Sequence, residues 1–301
     1  MGDHSENLDH GVAQHDPYFI YVADDSPGDP PPPVCRRKYR VLHLFSGPTD
    51  RADGLAAYLR AVGIKVTDCD IVNVDFDDQD IADDAAWGRI KAKLQSGYFN
   101  FVFAGPPCRT FSASRGHGPG PPILRDCDHL YGYSKSSSVG RGLKPHHFEQ
   151  IRLDNLLAER TAEACDIMES LGNGYGVEQP IPWRGAVSMF QFECFLNLIR
   201  KGARVVEFDQ CMYGAPTRKP TQVLYGNSDF SSLEAHCNHE GVEQRDEHGR
   251  TYIAPHASYV GKKGKDGAYL TSSLAAYPAQ LNCKLATLIN SSVISQGSSS
   301  S

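Results

Sequence analysis

A doubly wound α/β sheet is the fold this chain predicts, and three observations carry that reading. Short apolar runs alternate with helical patterns through most of the chain, the order that builds a sheet with helices on both faces. The length of 301 residues is ample for one large buried core. No apolar run approaches the roughly 18 residues of a membrane span, and the amino terminus lacks the basic-then-apolar layout of a signal peptide.

Arg40–Phe45 (RVLHLF) is predicted as a buried strand running into the turn Ser46-Gly47-Pro48, and Leu55–Val62 as a short helix stopped by Gly63. Ile64–Cys69 is the second strand and opens into an acid-rich loop (Asp68, Asp70, Asp75, Asp77, Asp78, Asp80). Ala85–Leu94 is helical, and Phe99–Ala104 is a third strand ending at Gly105-Pro106-Pro107. Residues 113–147, rich in Gly, Ser and Pro, form a long loop of a length that usually carries function. In the next segment, Ile151, Leu153, Leu156, Leu157, Ala164, Ile167, Met168 and Leu171 recur at helical spacing, which predicts a long helix over Phe148–Leu171. Strands at Tyr175–Val177, Arg204–Phe208 and Gln222–Tyr225 follow, with a helix near Val187–Ile199, and an amphipathic helix over Ala275–Ile289 closes the pattern. Ligands of such a sheet sit at the carboxyl ends of its strands.

The formal charge of −6 argues at first against a nucleic-acid partner. It is concentrated in residues 1–34, which hold seven acids and no Lys or Arg and end in a run of four prolines, as a disordered tail would. The remainder carries +1, so charge neither supports nor excludes nucleic acid. Nine scattered cysteines without a CxxC pair read as reduced thiols of an intracellular protein, nuclear or cytoplasmic, rather than a disulfide scaffold.

The sharpest chemical feature is Gly105-Pro106-Pro107-Cys108-Arg109-Thr110-Phe111-Ser112. A rigid turn after a strand presents Cys108 as a nucleophile, and Arg109 or a helix amino terminus would lower its pKa; the alternative is an ordinary turn cysteine. Three further segments stand with it in order: Leu44-Phe45-Ser46-Gly47, Val177-Glu178-Gln179-Pro180 and Tyr213-Gly214-Ala215-Pro216-Thr217-Arg218-Lys219-Pro220-Thr221. Together they resemble the cytosine-5 DNA methyltransferase family over about residues 40–227, with a weaker match in the last helix.

The resemblance implies a Rossmann-like S-adenosylmethionine-dependent methyltransferase sheet that transfers a methyl group to carbon 5 of cytosine in DNA. It implies Cys108 as the nucleophile adding at carbon 6, Glu178 as the acid at ring nitrogen 3, and Lys219 as the surviving cation of the later motif. For S-adenosylmethionine it implies Phe45, Gly47 and Pro106 around the cofactor, Asp70 (with Asp68 as its rival) at the ribose, and Asp80 near the adenine. It divides the chain into a tail over 1–38, a catalytic domain over 39–227, a short insert over 228–270, a closing helix over 271–294 and a second tail over 295–301. The chain departs from the family pattern where His43 stands for an acid, where Pro48 follows Gly47, at Lys219 and Thr221 in place of arginines, and at Ala276-Tyr277-Pro278.

The insert is too short for a full target-recognition domain, which keeps RNA open as an alternative substrate. A catalytically silent, nucleic-acid-binding or partner-binding relative is the reading of another class, and a Cys-dependent hydrolase would need His117 or His129 beside Cys108. Arg109, Arg115, Arg125 and Arg141, with Lys262, Lys263 and Lys265, offer phosphate contacts, although a solvated face is the simpler reading of the lysines. Cys237, His239 and His256, with Cys211 upstream, offer tetrahedral zinc ligands at irregular spacing. Buried cysteines and surface histidines are the expectation carried forward there, so no metal is assigned. Neither a membrane partner nor an oligomeric state is implied.

Overall fold

A computed structural model describes residues 39–47, 51–70, 80–112, 115–116, 120–182, 185–245, 248–259, 262–264 and 276–299. The tail over 1–38, Pro48, the acids at 75, 77 and 78, His117, Lys265 and residues 300–301 lie outside the described residues. Everything below belongs to the unit Lys38–Ser301.

Six strands form the central sheet: β1 (Arg40–Leu44), β2 (Lys65–Cys69), β3 (Phe101–Ala104), β4 (Gly174–Pro180), β5 (Arg204–Asp209) and β6 (Pro220–Gly226). Their order is β2-β1-β3-β4-β6-β5. The first four pair in parallel, whereas β6 runs antiparallel between β4 and β5. The connection from β5 to β6 covers only residues 210–219, too short for the helical crossover a parallel neighbour needs. From β1 the chain moves to β2 on one side, then crosses to β3 on the other. That reversal opens a crevice at the carboxyl ends of β1 and β3.

Helices α2 (Asp84–Gln95), α3 (Pro145–Ser170) and α4 (Glu193–Arg200) cover one face of the sheet, where Trp87, Ile90, Leu94, Leu157, Phe195 and Leu198 meet Leu42, Val102 and Tyr175. On the other face α1 (Leu55–Ala61) and α5 (Ala279–Ser299) set Leu55, Leu59, Leu281, Leu285 and Ile289 against Val41, Phe101, Phe103 and Val223. The sheet is thus the doubly wound α/β structure the alternation predicts.

Two elements differ from their sequence patterns, and one is new. The expected helix over Val187–Ile199 splits, because the Ser188 hydroxyl caps a single 3-10 turn and Phe192 is extended (φ −66°, ψ 143°) before α4 begins. Phe192 is fully buried against Phe111 and Tyr131, and that burial outweighs continuing the helix. Helix α5 continues to Ser299, through residues expected to form a tail. There Ser295 and Ser298 hydrogen-bond back to the carbonyls of Ser291 and Ile294, and Gly297 lies close against Tyr39. The insert holds an antiparallel hairpin, β7 (Gly241–Arg245) and β8 (Thr251–Pro255), that the sequence pattern did not show. None of the helices among the described residues is long and apolar enough to cross a membrane.

Candidate active site at the strand ends

Parallel pairing sets Ala104 of β3 level with Val177 of β4, so Glu178 lies beside Gly105 and Gln179 beside Pro106. Gln179 uses this register: its Nε2 donates to the Pro106 carbonyl at 2.7 Å and pins the Pro-Pro turn to β4. Strand alternation turns Tyr175, Val177 and Gln179 to one face and Glu178 to the other, toward the segment leading into α5. There Tyr277 donates its hydroxyl to Glu178 Oε2 at 3.0 Å. A Cβ at position 105 would fall 2.6 Å from that hydroxyl, so glycine there admits Tyr277 to the site.

Lys219 stands at the start of β6 with φ +31°, and its Nζ lies 3.8 Å from Glu178 Oε1 and 5.8 Å from the Tyr277 ring. Oε1 is buried and accepts no hydrogen bond among the described residues. A buried oxygen left in that condition costs about 1–3 kcal/mol. Tyr277 is held in its neutral form, its pKa raised well above 10 by burial, by the Glu178 carboxylate and by its hydrogen bond to that group.

Cys108 is half-buried beside this group. Burial pushes its thiol up to about 11; Lys219 pulls in the opposite direction, while Glu178 and Asp154 add to the rise. The expectation that Arg109 lowers this pKa is not met, because Arg109 Nε is committed to Asp154 Oδ1 at 2.8 Å and the nearby cation that favours thiolate is Lys219. Asp154, fully buried on α3, also accepts from the Thr110 hydroxyl at 2.7 Å and from the Thr110 amide at 3.2 Å. The Cys108 turn is therefore bound to α3 on one side and to β4 on the other. Arg125 closes the arrangement, donating to Thr110 Oγ1 at 2.7 Å and lying over the Phe111 ring.

The residues expected to hold the cofactor lie at the ends of β1, β2 and β3 and just ahead of α2. Phe45 directly follows β1 at φ +60°, an unusual conformation for a bulky residue, with its amide bonded to the Cys69 carbonyl at 2.7 Å. Gly47 has φ +69°, and no described atom lies within 4 Å of where its Cβ would be. Its amide donates to Asp70 Oδ2 at 2.8 Å, which turns the Asp70 carboxylate toward the end of β1. The rival acid, Asp68, is buried. Burial would raise its pKa, but His43 and Arg60 pair with both its oxygens and hold it below the ordinary value. His43, where the resemblance expects an acid, thus forms an internal contact with buried Asp68 at 3.2 Å. Asp80 is exposed, with Oδ1 capping the Ala82 amide at 2.8 Å ahead of α2. Pro106 is buried in the Cys108 turn.

The structure therefore gathers Cys108, Glu178 and Lys219, sets Phe45, Gly47 and Asp70 at the ends of β1 and β2, and leaves Asp80 exposed ahead of α2. Sequence reasoning missed Tyr277, Asp154 and Gln179. Only Gln179 carried a local signal, standing next to Glu178 on the same strand. Arg115 and Arg125, expected at phosphates, are buried and hydrogen-bonded internally, whereas Arg109 and Arg141 are exposed. His129 pairs with Asp126 at 2.9 Å.

No protein-family model and no curated relative matches the chain. Among the solved structures similar to it are two methyltransferases. The Entamoeba histolytica methyltransferase EhMeth is 17% identical over 70% of this chain and 58% of its own, with a TM-score of 0.35. The S. pombe Dnmt2 methyltransferase is 10% identical over 63% of this chain and 49% of its own, with a TM-score of 0.33. The chain thus spans about half the length of these solved proteins.

Proposed function

We propose that this chain transfers a methyl group from S-adenosylmethionine to carbon 5 of cytosine in DNA, through a covalent adduct on Cys108. The observation that carries the reading is Glu178 Oε1, a buried carboxyl oxygen that accepts no hydrogen bond among the described residues and stands beside the Cys108 thiol and the Lys219 ammonium.

Carbon 5 of cytosine is too weak a nucleophile to accept a methyl group unaided. Attack by the Cys108 thiolate forms a bond to carbon 6 while the Glu178 carboxyl group passes a proton to ring nitrogen 3. The electron pair then resides at carbon 5. Tyr277 holds Oε2, which leaves Oε1 as the oxygen to meet the base. Lys219 favours the thiolate and balances charge beside Glu178. After methylation, the carbon 5 proton is lost to solvent, Sγ leaves carbon 6 as thiolate, and nitrogen 3 returns its proton to Glu178, which restores the ring. The base must leave the stack to reach Cys108, unless it arrives single-stranded.

The residues at the crevice fit S-adenosylmethionine: an aromatic ring at Phe45, an open approach at Gly47, and the Asp70 carboxylate at the end of β2 as a partner for ribose hydroxyls. When bound, that cofactor supplies the electrophilic methyl group.

Covalent trapping tests the reading. Oligonucleotides carrying 5-fluorocytosine, as DNA and separately as RNA, are mixed with S-adenosylmethionine and the chain or its Cys108→Ala variant, then run on a denaturing gel. A Cys108-dependent shifted band with DNA is expected, because fluorine cannot leave carbon 5 as a proton does. A band with RNA alone reassigns the substrate. No band with either, alongside normal cofactor binding, overturns the catalytic reading in favour of a silent binding protein.

A further inference from the structure

Cys211, Cys237, His239 and His256, drawn from three segments, converge on one point, with one ligating atom from each lying within 4.8 Å of all the others. Cys237 Sγ is 3.7 Å from His256 Nε2 and 3.9 Å from His239 Nδ1. A tetrahedral zinc ion, with bonds of about 2.3 Å to sulfur and about 2.0–2.1 Å to nitrogen, separates its ligand atoms by roughly 3.3–3.8 Å. The spacing is therefore the size of a zinc site. Two thiols and two imidazoles are the donor set that favours zinc over hard, oxygen-seeking cations.

The four residues come from three segments. Cys211 lies in the turn Gln210–Tyr213 that leaves β5, Cys237 and His239 lie in the stretch entering the hairpin, and His256 directly follows β8. Tyr252 and Ile253 of β8 are exposed, and an isolated two-stranded hairpin is marginal in water. Buried Asp209 fixes the Cys237 backbone, accepting its amide at 2.8 Å through one oxygen and Arg218 Nε at 3.0 Å through the other.

We propose that Cys211, Cys237, His239 and His256 bind one structural zinc ion that fastens the β7–β8 hairpin to the end of β5. All four positions are taken by protein, which marks a closed, non-catalytic site. The ion would also steady the turn carrying Lys219. The Gln210 amide donates to the Lys219 carbonyl at 3.2 Å, and the Ala257 amide, next to His256, donates to the Pro216 carbonyl at 2.8 Å. The proposal stands independently of the methyl-transfer reading, since no catalytic residue is among the ligands.

The test is metal content and spectroscopy on the full chain, purified reduced and without chelator. About one zinc per chain is expected, falling at least several-fold in Cys237→Ser and staying near one in Cys127→Ser, an exposed thiol outside the cluster. Cobalt added to the metal-free wild type should give the intense visible bands of a tetrahedral site together with sulfur-to-metal charge transfer. The cobalt readout needs no variant to fold. Substoichiometric zinc with no tetrahedral cobalt spectrum overturns the proposal, as does a Cys211–Cys237 disulfide in protein handled without reductant.

Discussion

Cys108 and Cys237 are both half-buried thiols, and their neighbours set them apart. Cys108 has an ammonium, a carboxyl group and a phenol for company, on a turn fastened to the sheet by Gln179 and to α3 by Asp154. Cys237 has a second thiol and two imidazoles, in the stretch that enters the β7–β8 hairpin. The first environment holds one sulfur ready for one electrophile while leaving a carboxyl oxygen for a polar partner. The second matches several soft donors to a single cation. Thiol chemistry here is decided by charge and donor count around the sulfur rather than by exposure, which is similar at the two sites.

The comparison breaks most visibly with paired substitutions. Cys108→Ala is expected to lower methyl transfer by about a thousandfold or more while metal content stays unchanged; loss of metal in that variant would mean the two sites are coupled. Glu178→Gln keeps the shape but removes the proton donor, and a fall of about 10²–10⁴-fold in turnover is expected from single-turnover assays with S-adenosylmethionine and DNA.

Acidity sharpens the contrast further. With the Cys108 thiol pushed up to about 11 by burial, the thiol form prevails at neutral pH in the free protein. Its alkylation rate, followed by peptide mapping after iodoacetamide, should rise about tenfold per pH unit and level off near 11. Lys219→Ala should move that plateau to higher pH and Glu178→Gln to lower pH; no movement in either would disconnect these charges from the thiol. Tyr277→Phe, which removes one hydrogen bond to the Glu178 carboxyl group, is expected to slow transfer only by roughly tenfold. The smallest effect on the fold as a whole should follow chelation. Limited proteolysis is expected to cut the β7–β8 hairpin of the metal-free chain while the sheet's circular dichroism persists, because the sheet has its own two-sided core.

Much of the layout was legible before any coordinates. The apolar runs at β1, β3 and β4 and the 3.6-residue periodicity of α3 are local signals, each set by burying one stretch of chain. The hairpin was not legible, because its strands are five residues each and show no regular apolar–polar alternation. The division at Phe192 was not either, since only a distant aromatic cluster draws that ring inward. At the candidate site, Cys108 and Glu178 were picked out by motif. Tyr277 lies 99 residues beyond Glu178 and reached it only by the return of α5 to the sheet. Asp154 looked like one more acid on a helix until the Cys108 turn closed on it.

By itself the sequence determined an alternating α/β chain, a cysteine on a rigid turn after the third strand and a carboxylate on the fourth, because hydrophobic period and turn chemistry act over a few residues. The tertiary structure alone decided that β6 runs antiparallel, that Asp68 is spent on His43 and Arg60 while Asp70 accepts the Gly47 amide, and that two cysteines and two histidines meet at one point. Those outcomes depend on which distant groups share a strand end, and strand register in a sheet packed on both faces sets that, not local spacing.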